Sequence, residues 1–355
     1  MTRAWLAAVC LSLTLQTYAW GQTTVQSTDV TRSASAAQPA GPYAKFAGTS
    51  VEAATYVGSG SFYVSGYRNP YASLAIFARP SYDLGTKYKL AVRARIFLEE
   101  ELTSPDTPNG RRFYTYDPWF WLAADNLHTF ERAKIKVAGV VRTVVPLSHE
   151  SRYSHLVFGV GAGFSFSREF EFGQVNDEAR KWSLRLSWSP VFTKNIHTSH
   201  FRGDGPGDST GCLAPTSAAA PGAGTGGPTS SDADRCGGPA NTNYSISNTF
   251  GAGLSRGKAS LFVSLYISNA FKYGFPEDAF TAGNAVPVGR SDMTWGIIAA
   301  SYKLTAKYGL SAGVSSLQPA LDSRYRYPRF PFFDLSGGAN ANNFTQFFVG
   351  VNGSI

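Results

Sequence analysis

Long apolar runs are what this 355-residue chain most conspicuously lacks. Beyond the N-terminal segment no stretch reaches the roughly 18 apolar residues that a membrane helix needs. A place in a bilayer is then open only to a closed barrel of strands, in which every backbone group pairs with a neighbour. Charge is also scarce, at 16% of residues. The balance is +8, or +7 without Arg3, and no basic block is long enough to serve as a nucleic-acid arm, so nucleic acid is excluded as a partner. Methionine is limited to two residues and cysteine to three, Cys10, Cys212 and Cys236. What the chain has in quantity is aromatic and small: 25 Phe, 18 Tyr, 7 Trp and 36 Gly.

The first 21 residues, MTRAWLAAVCLSLTLQTYAWG, have the layout of a secretory signal peptide. Arg3 supplies the positive start, Ala4 to Leu15 the short apolar stretch, and Ala19-Trp20-Gly21 the small-x-small cleavage site that leaves Gln22 first. The residue before Cys10 is Val9, where a lipid-anchor signal calls for a small residue, so Cys10 is expected to leave with the signal.

The strongest pattern is a period of two. In KWSLRLSWSP, Trp182, Leu184, Leu186 and Trp188 alternate with Ser183, Arg185, Ser187 and Ser189, which places them on opposite faces of one strand. The same division runs through 88–99, 132–146, 155–167 and 260–268. Segments this long exceed the soluble norm of about 5 to 6 residues and match the 9 to 11 or so of membrane strands. Trp182 and Phe192 are ten residues apart on one face, the spacing that two aromatic edges of an apolar band of about 25 Å require. The Trp and Leu face is therefore expected to meet lipid, with Ser and Arg lining the interior.

Strands are predicted at 52–64, 71–84, 87–102, 117–127, 132–146, 153–171, 181–194, 243–255, 258–273, 292–306, 308–318 and 344–355. Connections after 102, 194, 273 and 318 are long, and those after 84, 127, 255 and 306 are tight, as in barrels with long outer loops and short periplasmic turns. The expected fold is all-β: a transmembrane antiparallel up-and-down barrel of about 12 strands, within a range of 10 to 14. Residues 22–50 are predicted to be a disordered periplasmic lead-in and 51–355 the barrel, interrupted by a low-complexity outer loop at about 201–242. Cys212 and Cys236 lie in that loop, and in an oxidising compartment the pair is expected to form a disulfide.

The export segment, the alternating strands and the C-terminal FTQFFVGVNGSI resemble outer-membrane β-barrel proteins of Gram-negative bacteria, whose last strand is an insertion signal. Phe347, Val349, Val351 and Ile355 follow that signal's alternation, although it usually ends in Phe. YDPWFWLAADNL and VVPLSHESR are similar to pieces of uncharacterised barrels from myxobacteria and relatives. The resemblance implies an outer-membrane location, contact with lipid and lipopolysaccharide, and recognition by barrel-insertion machinery. It brings no functional residues.

Signs of chemistry are few. GVGAGFS at 159–165 echoes a phosphate loop, but its glycines fall inside one strand with no helix after them, so they are read as relief of crowding. His197 and His200 point to opposite faces of a strand and could share a metal only if the chain curled there. His155 with Ser148 or Ser151 invites comparison with outer-membrane phospholipases, yet no nucleophile, base and orienting group can be read as a trio. No catalytic residue, metal or cofactor is expected. The distinctive set is basic: Lys89, Arg93, Arg95, Lys134, Lys136, Arg142 and Arg185 all take the inward parity. They suggest a channel or transporter-like barrel that passes or binds small polar solutes, anions among them. The alternative is a closed structural barrel anchoring a secretion, motility or surface complex, with these charges paired to Glu99, Glu101 or an infolded loop.

Overall fold

The computed structural model describes residues 44–62, 71–103, 113–173, 181–199, 241–273, 289–321, 327–334 and 345–354. Within them run twelve antiparallel strands. β1 is Ser50–Gly58, β2 Ala72–Arg79 continued beyond Pro80 by Ser81–Asp83, β3 Leu90–Glu101, and β4 Phe113–Thr115 with Trp119–Phe130. β5 is Ile135–Val144, β6 Leu156–Gly173, β7 Lys181–His197 and β8 Thr242–Arg256. β9 is Ala259–Lys272, β10 Arg290–Lys303, β11 Tyr308–Pro319 and β12 Thr345–Ser354. Each pairs with its sequence neighbour, and β12 returns to β1 with Ser354 opposite Ser50, so the sheet has no free edge. Closure satisfies the backbone of every strand within the wall.

The faces are inverted relative to a soluble protein. Large apolar side chains such as Ile96, Leu122, Val141, Leu186, Phe250 and Val349 stand on the outside, while Ser73, Glu99, Arg142, Thr193, Ser264 and Gln346 are buried inside. The Trp and Leu face of β7 is the outer one, with Leu186 43% exposed. Aromatic rings mark both edges of that outer surface. At the short-turn end Phe172 and Trp182 stack at 6.4 Å, with the Arg256 guanidinium 5.1 Å from the Trp182 ring. At the other end Phe192, Tyr244 and Phe271 form a row with centroid spacings of 5.9 and 4.7 Å, flanked by Arg290. Paired aromatic belts of this kind suit the two interfaces of a bilayer.

Connections are short at one end and long at the other. Gly257 and Lys258 alone join β8 to β9, and Gly257 adopts φ 54°, the positive value that the tight turns of hairpins require. Among the long connections, that from β5 to β6 carries the helical turn α1, His149–Tyr153. Chain segment 327–334 folds back over the outer wall of β10, β11 and β12, where Gln318 Nε2 donates to Phe330 O and Thr345 Oγ1 accepts from Asp334 N at 2.6 Å. A Cβ on Gly296 would lie 2.2 Å from Pro331 O, so only glycine lets this segment approach the wall.

Two expectations change. Residues 44–49, placed in the disordered lead-in, are ordered: Phe46 packs edge-on against Tyr82 at 5.3 Å, and Thr49 exchanges hydrogen bonds with the backbone of Ser81. Lys134, expected on a strand beginning at 132, instead occupies the turn before β5 with φ 51° and points to solvent. The signal peptide, residues 22–43, Cys212, Cys236, His200 and Ile355 lie outside the described residues.

Candidate functional site

The inward parity of β2 to β9 gathers polar groups around a cavity of about 650 Å³ in the half of the lumen nearer the short turns. Lys89, Arg93, Arg95, Lys136, Arg142 and Arg185, expected to face inward, all line it. Lys134 is the exception, carried away by its turn. Arg79, Trp119 and Trp121 belong to the lining but were not singled out from sequence. In PWFWLA, aromatic and apolar residues occupy both faces, so alternation alone does not say which row looks inward; cross-strand register does.

Seven basic side chains line the cavity against a single carboxylate, Asp125. The charges fall into two arcs. On the β2 and β3 side, Arg79 pairs with Glu52 at 3.1 Å and Arg93 with Asp125. On the β5 and β7 side, Lys136, Arg142 and Arg185 form no ion pair among the described residues. Arg142 is the most enclosed of the three, 5% exposed, with its guanidinium 4.3 Å from the Trp119 ring centroid and Nη2 donating to Thr193 Oγ1 at 2.7 Å.

Register explains how these groups meet. Arg93 stands opposite Trp121, Trp121 opposite Arg142, Arg142 opposite Gly161, and Gly161 opposite Thr193, a continuous inward row across five strands. Gly161 leaves the gap through which Arg142 reaches Thr193. Gly163 is equally constrained, since a Cβ there would meet Pro190 O at 2.4 Å. The glycines of GVGAGFS thus serve close packing inside one strand, as read from the sequence.

Towards the long-loop end the β1 to β4 wall carries a buried cluster. Glu99 accepts from Tyr71 at 3.1 Å, Ser73 at 2.6 Å and Tyr116 at 2.6 Å, and Tyr114 donates to Glu101 at 3.1 Å. Beside it Phe77, Phe97 and Tyr116 stack with centroid spacings of 4.4 and 4.2 Å. Glu99 thus binds hydroxyl groups.

The remaining candidates resolve into structural roles. Asp117 accepts from the backbone N–H groups of Leu147 and Ser148 and from the Ser151 hydroxyl, while Ser148 caps α1 through Ser151 N. Both serines are engaged there, and among the described residues His155 has no hydrogen bond to either. The His197 ring lies between Ser154 O at 2.7 Å and Thr242 O at 3.2 Å, tying the α1 connection to the start of β8.

No family model and no curated protein matches this sequence. Solved structures do. An outer membrane channel from Pseudomonas putida F1 is 11% identical over 87% of this chain and 96% of its own, with a TM-score of 0.46. The beta domain of the Bordetella autotransporter Brka is 10% identical over 87% and 100%, with a TM-score of 0.38. An anion-selective porin from Comamonas acidovorans is 8% identical over 86% and 98%, at 0.27. These neighbours are outer-membrane barrels of Gram-negative bacteria. Likenesses of this size carry nothing about solute or activity, for which the cavity is the guide.

Proposed function

We propose that the protein is an outer-membrane barrel that passes or binds small polar solutes and favours anions. The observation that carries this reading is the cavity's seven basic residues, of which Arg79 and Arg93 are paired with Glu52 and Asp125 while Lys136, Arg142 and Arg185 form no ion pair among the described residues. In a lumen walled by low-dielectric protein, fields of like sign add within a Debye length of about 8 Å and raise the local concentration of anions. The apolar outer wall with its two aromatic belts supports residence in a bilayer, exported through the N-terminal signal. Phe347, Val349 and Val351 lie on that outer face, as recognition by the insertion machinery would require. Lipid and lipopolysaccharide are its surroundings, and the role is non-enzymatic.

The Tyr71, Tyr116 and Glu99 cluster favours a second reading, because it ties inward-facing side chains together on the long-loop side: a closed barrel that scaffolds an envelope complex. Planar bilayers separate the two. A channel gives reproducible conductance steps and a reversal potential in a potassium chloride gradient that favours chloride, shifted towards zero by Arg142→Gln with Arg185→Gln. Cation selectivity would overturn the anion reading, and a silent bilayer would leave the scaffold.

A further inference from the structure

Arg142 presents an unusual problem of compensation. Its side chain is almost wholly buried, its Nε has no hydrogen-bond acceptor, and no carboxylate pairs with it among the described residues. The Trp119 ring and the Thr193 hydroxyl offset part of the desolvation, but neither carries a charge. A buried cation left in this state is costly, and an anion that meets the guanidinium from the cavity it lines offsets that cost. Lys136 and Arg185 line the same side of the cavity and are likewise without ion pairs among the described residues.

Size and surroundings say what kind of anion. A volume of about 650 Å³ falls in the range of organic-ligand sites and far exceeds what one halide fills. Trp121 lies between Arg93 and Arg142 in the register row and, unlike Trp119, keeps part of its indole open to the cavity; Phe262 lines the cavity from β9. Guanidinium groups bind carboxylates in the plane of the fork and stack on rings, so the row offers an in-plane anchor beside an aromatic face.

We propose that this row is a binding site for aromatic carboxylates, with the carboxylate on Arg142 and the ring against Trp121. The proposal deepens the solute reading above and rests on the lumen being reachable from one end. It requires no conductance.

The test is calorimetric titration of the full chain, folded in detergent, with benzoate, acetate and benzyl alcohol as probes. Benzoate should bind saturably, and acetate and benzyl alcohol about tenfold more weakly or worse, because each lacks one of the two anchors. Arg142→Gln and Trp121→Ala should each weaken benzoate by about tenfold. Heat-modifiable gel mobility verifies that the variants remain folded. Equal binding of benzoate and acetate would reduce the site to a general anion atmosphere and overturn the proposal, as would absence of saturable benzoate binding by folded protein. Saturable binding in a barrel that is silent in bilayers would sustain the site while removing the channel; conductance without benzoate binding would do the reverse.

Discussion

Arg142 Nη2 reaches Thr193 Oγ1 at 2.7 Å across an intervening strand, over the bare backbone of Gly161. The contact exists because Gly161 has no side chain: a Cβ there would lie 2.7 Å from Phe192 O and 2.9 Å from Thr193 Oγ1. Gly161→Ala should therefore strain the wall and displace the guanidinium, with a loss of about 1 to 3 kcal/mol. Gly159→Ala is the control, since its closest neighbour is the Asn195 side-chain oxygen at 3.0 Å, which can turn aside. Unfolding in urea should show the larger loss for Gly161→Ala. Equal losses would mean that Arg142 does not depend on the gap.

The orientation of the faces predicts a second contrast on β7. Leu186 stands outside and Ser187 lines the cavity. Arg in place of Leu186, set near the middle of the apolar band, should cost about 2 to 4 kcal/mol in a bilayer. Arg in place of Ser187 enters the polar-lined cavity, and its cost should be far smaller. Folding measured in vesicles should rank the two variants in that order, and the reverse order would invert the faces.

A third prediction concerns the buried acid. Glu99 takes hydroxyl donors on both carboxylate oxygens, Tyr71 and Ser73 on one and Tyr116 on the other. Glu99→Gln replaces one of the two acceptor oxygens with an NH2 group that can only donate, setting donor against donor in a buried cluster at a cost of about 1 to 3 kcal/mol. Tyr116→Phe should be milder, because the carboxylate keeps its other two donors. A milder Glu99→Gln would show that the carboxyl is itself protonated and needs only one acceptor.

Strand number, parity and the lumen set were legible because one physical rule governs them: period-2 alternation sorts side chains to two faces wherever one face is apolar. Arg93, Arg95, Lys136, Arg142 and Arg185 could be placed from that rule alone, whereas Lys89 lines the cavity from the turn before β3, with φ 50°. Lys134 could not, since one residue of uncertainty at a strand start turns a wall position into a turn position. The row from Arg93 to Thr193 was hidden for another reason. It depends on how neighbouring strands slide past one another, and a single strand's pattern carries no register with its neighbour. Trp121 was hidden by aromatic residues on both faces of its strand, and the Asp117 clamp on α1 joins residues about thirty apart that no local motif connects.

The last prediction tests the segment that folds over the outer wall. Thr294, Gly296, Ser316, Gln318 and Thr345 take the outward parity on β10, β11 and β12, a polar patch on an otherwise apolar surface. Residues 327–334 cover it, held by Gln318 and Thr345 and braced internally by the Arg329 and Asp334 ion pair at 2.7 Å. Covering matters because bare hydroxyl and amide groups on that face would have no partner in lipid. Gln318→Ala removes a buried hydrogen bond worth about 1 to 1.5 kcal/mol, and a change of that size opens the segment roughly tenfold more often. Trypsin cleavage between Arg329 and Phe330 should accelerate by the same factor, while the barrel keeps its heat-modifiable mobility. Gly296→Ala should act in the same direction, because the new methyl group meets Pro331 O and Phe332. If neither variant changes the cleavage rate, the segment is held by something other than the wall it covers.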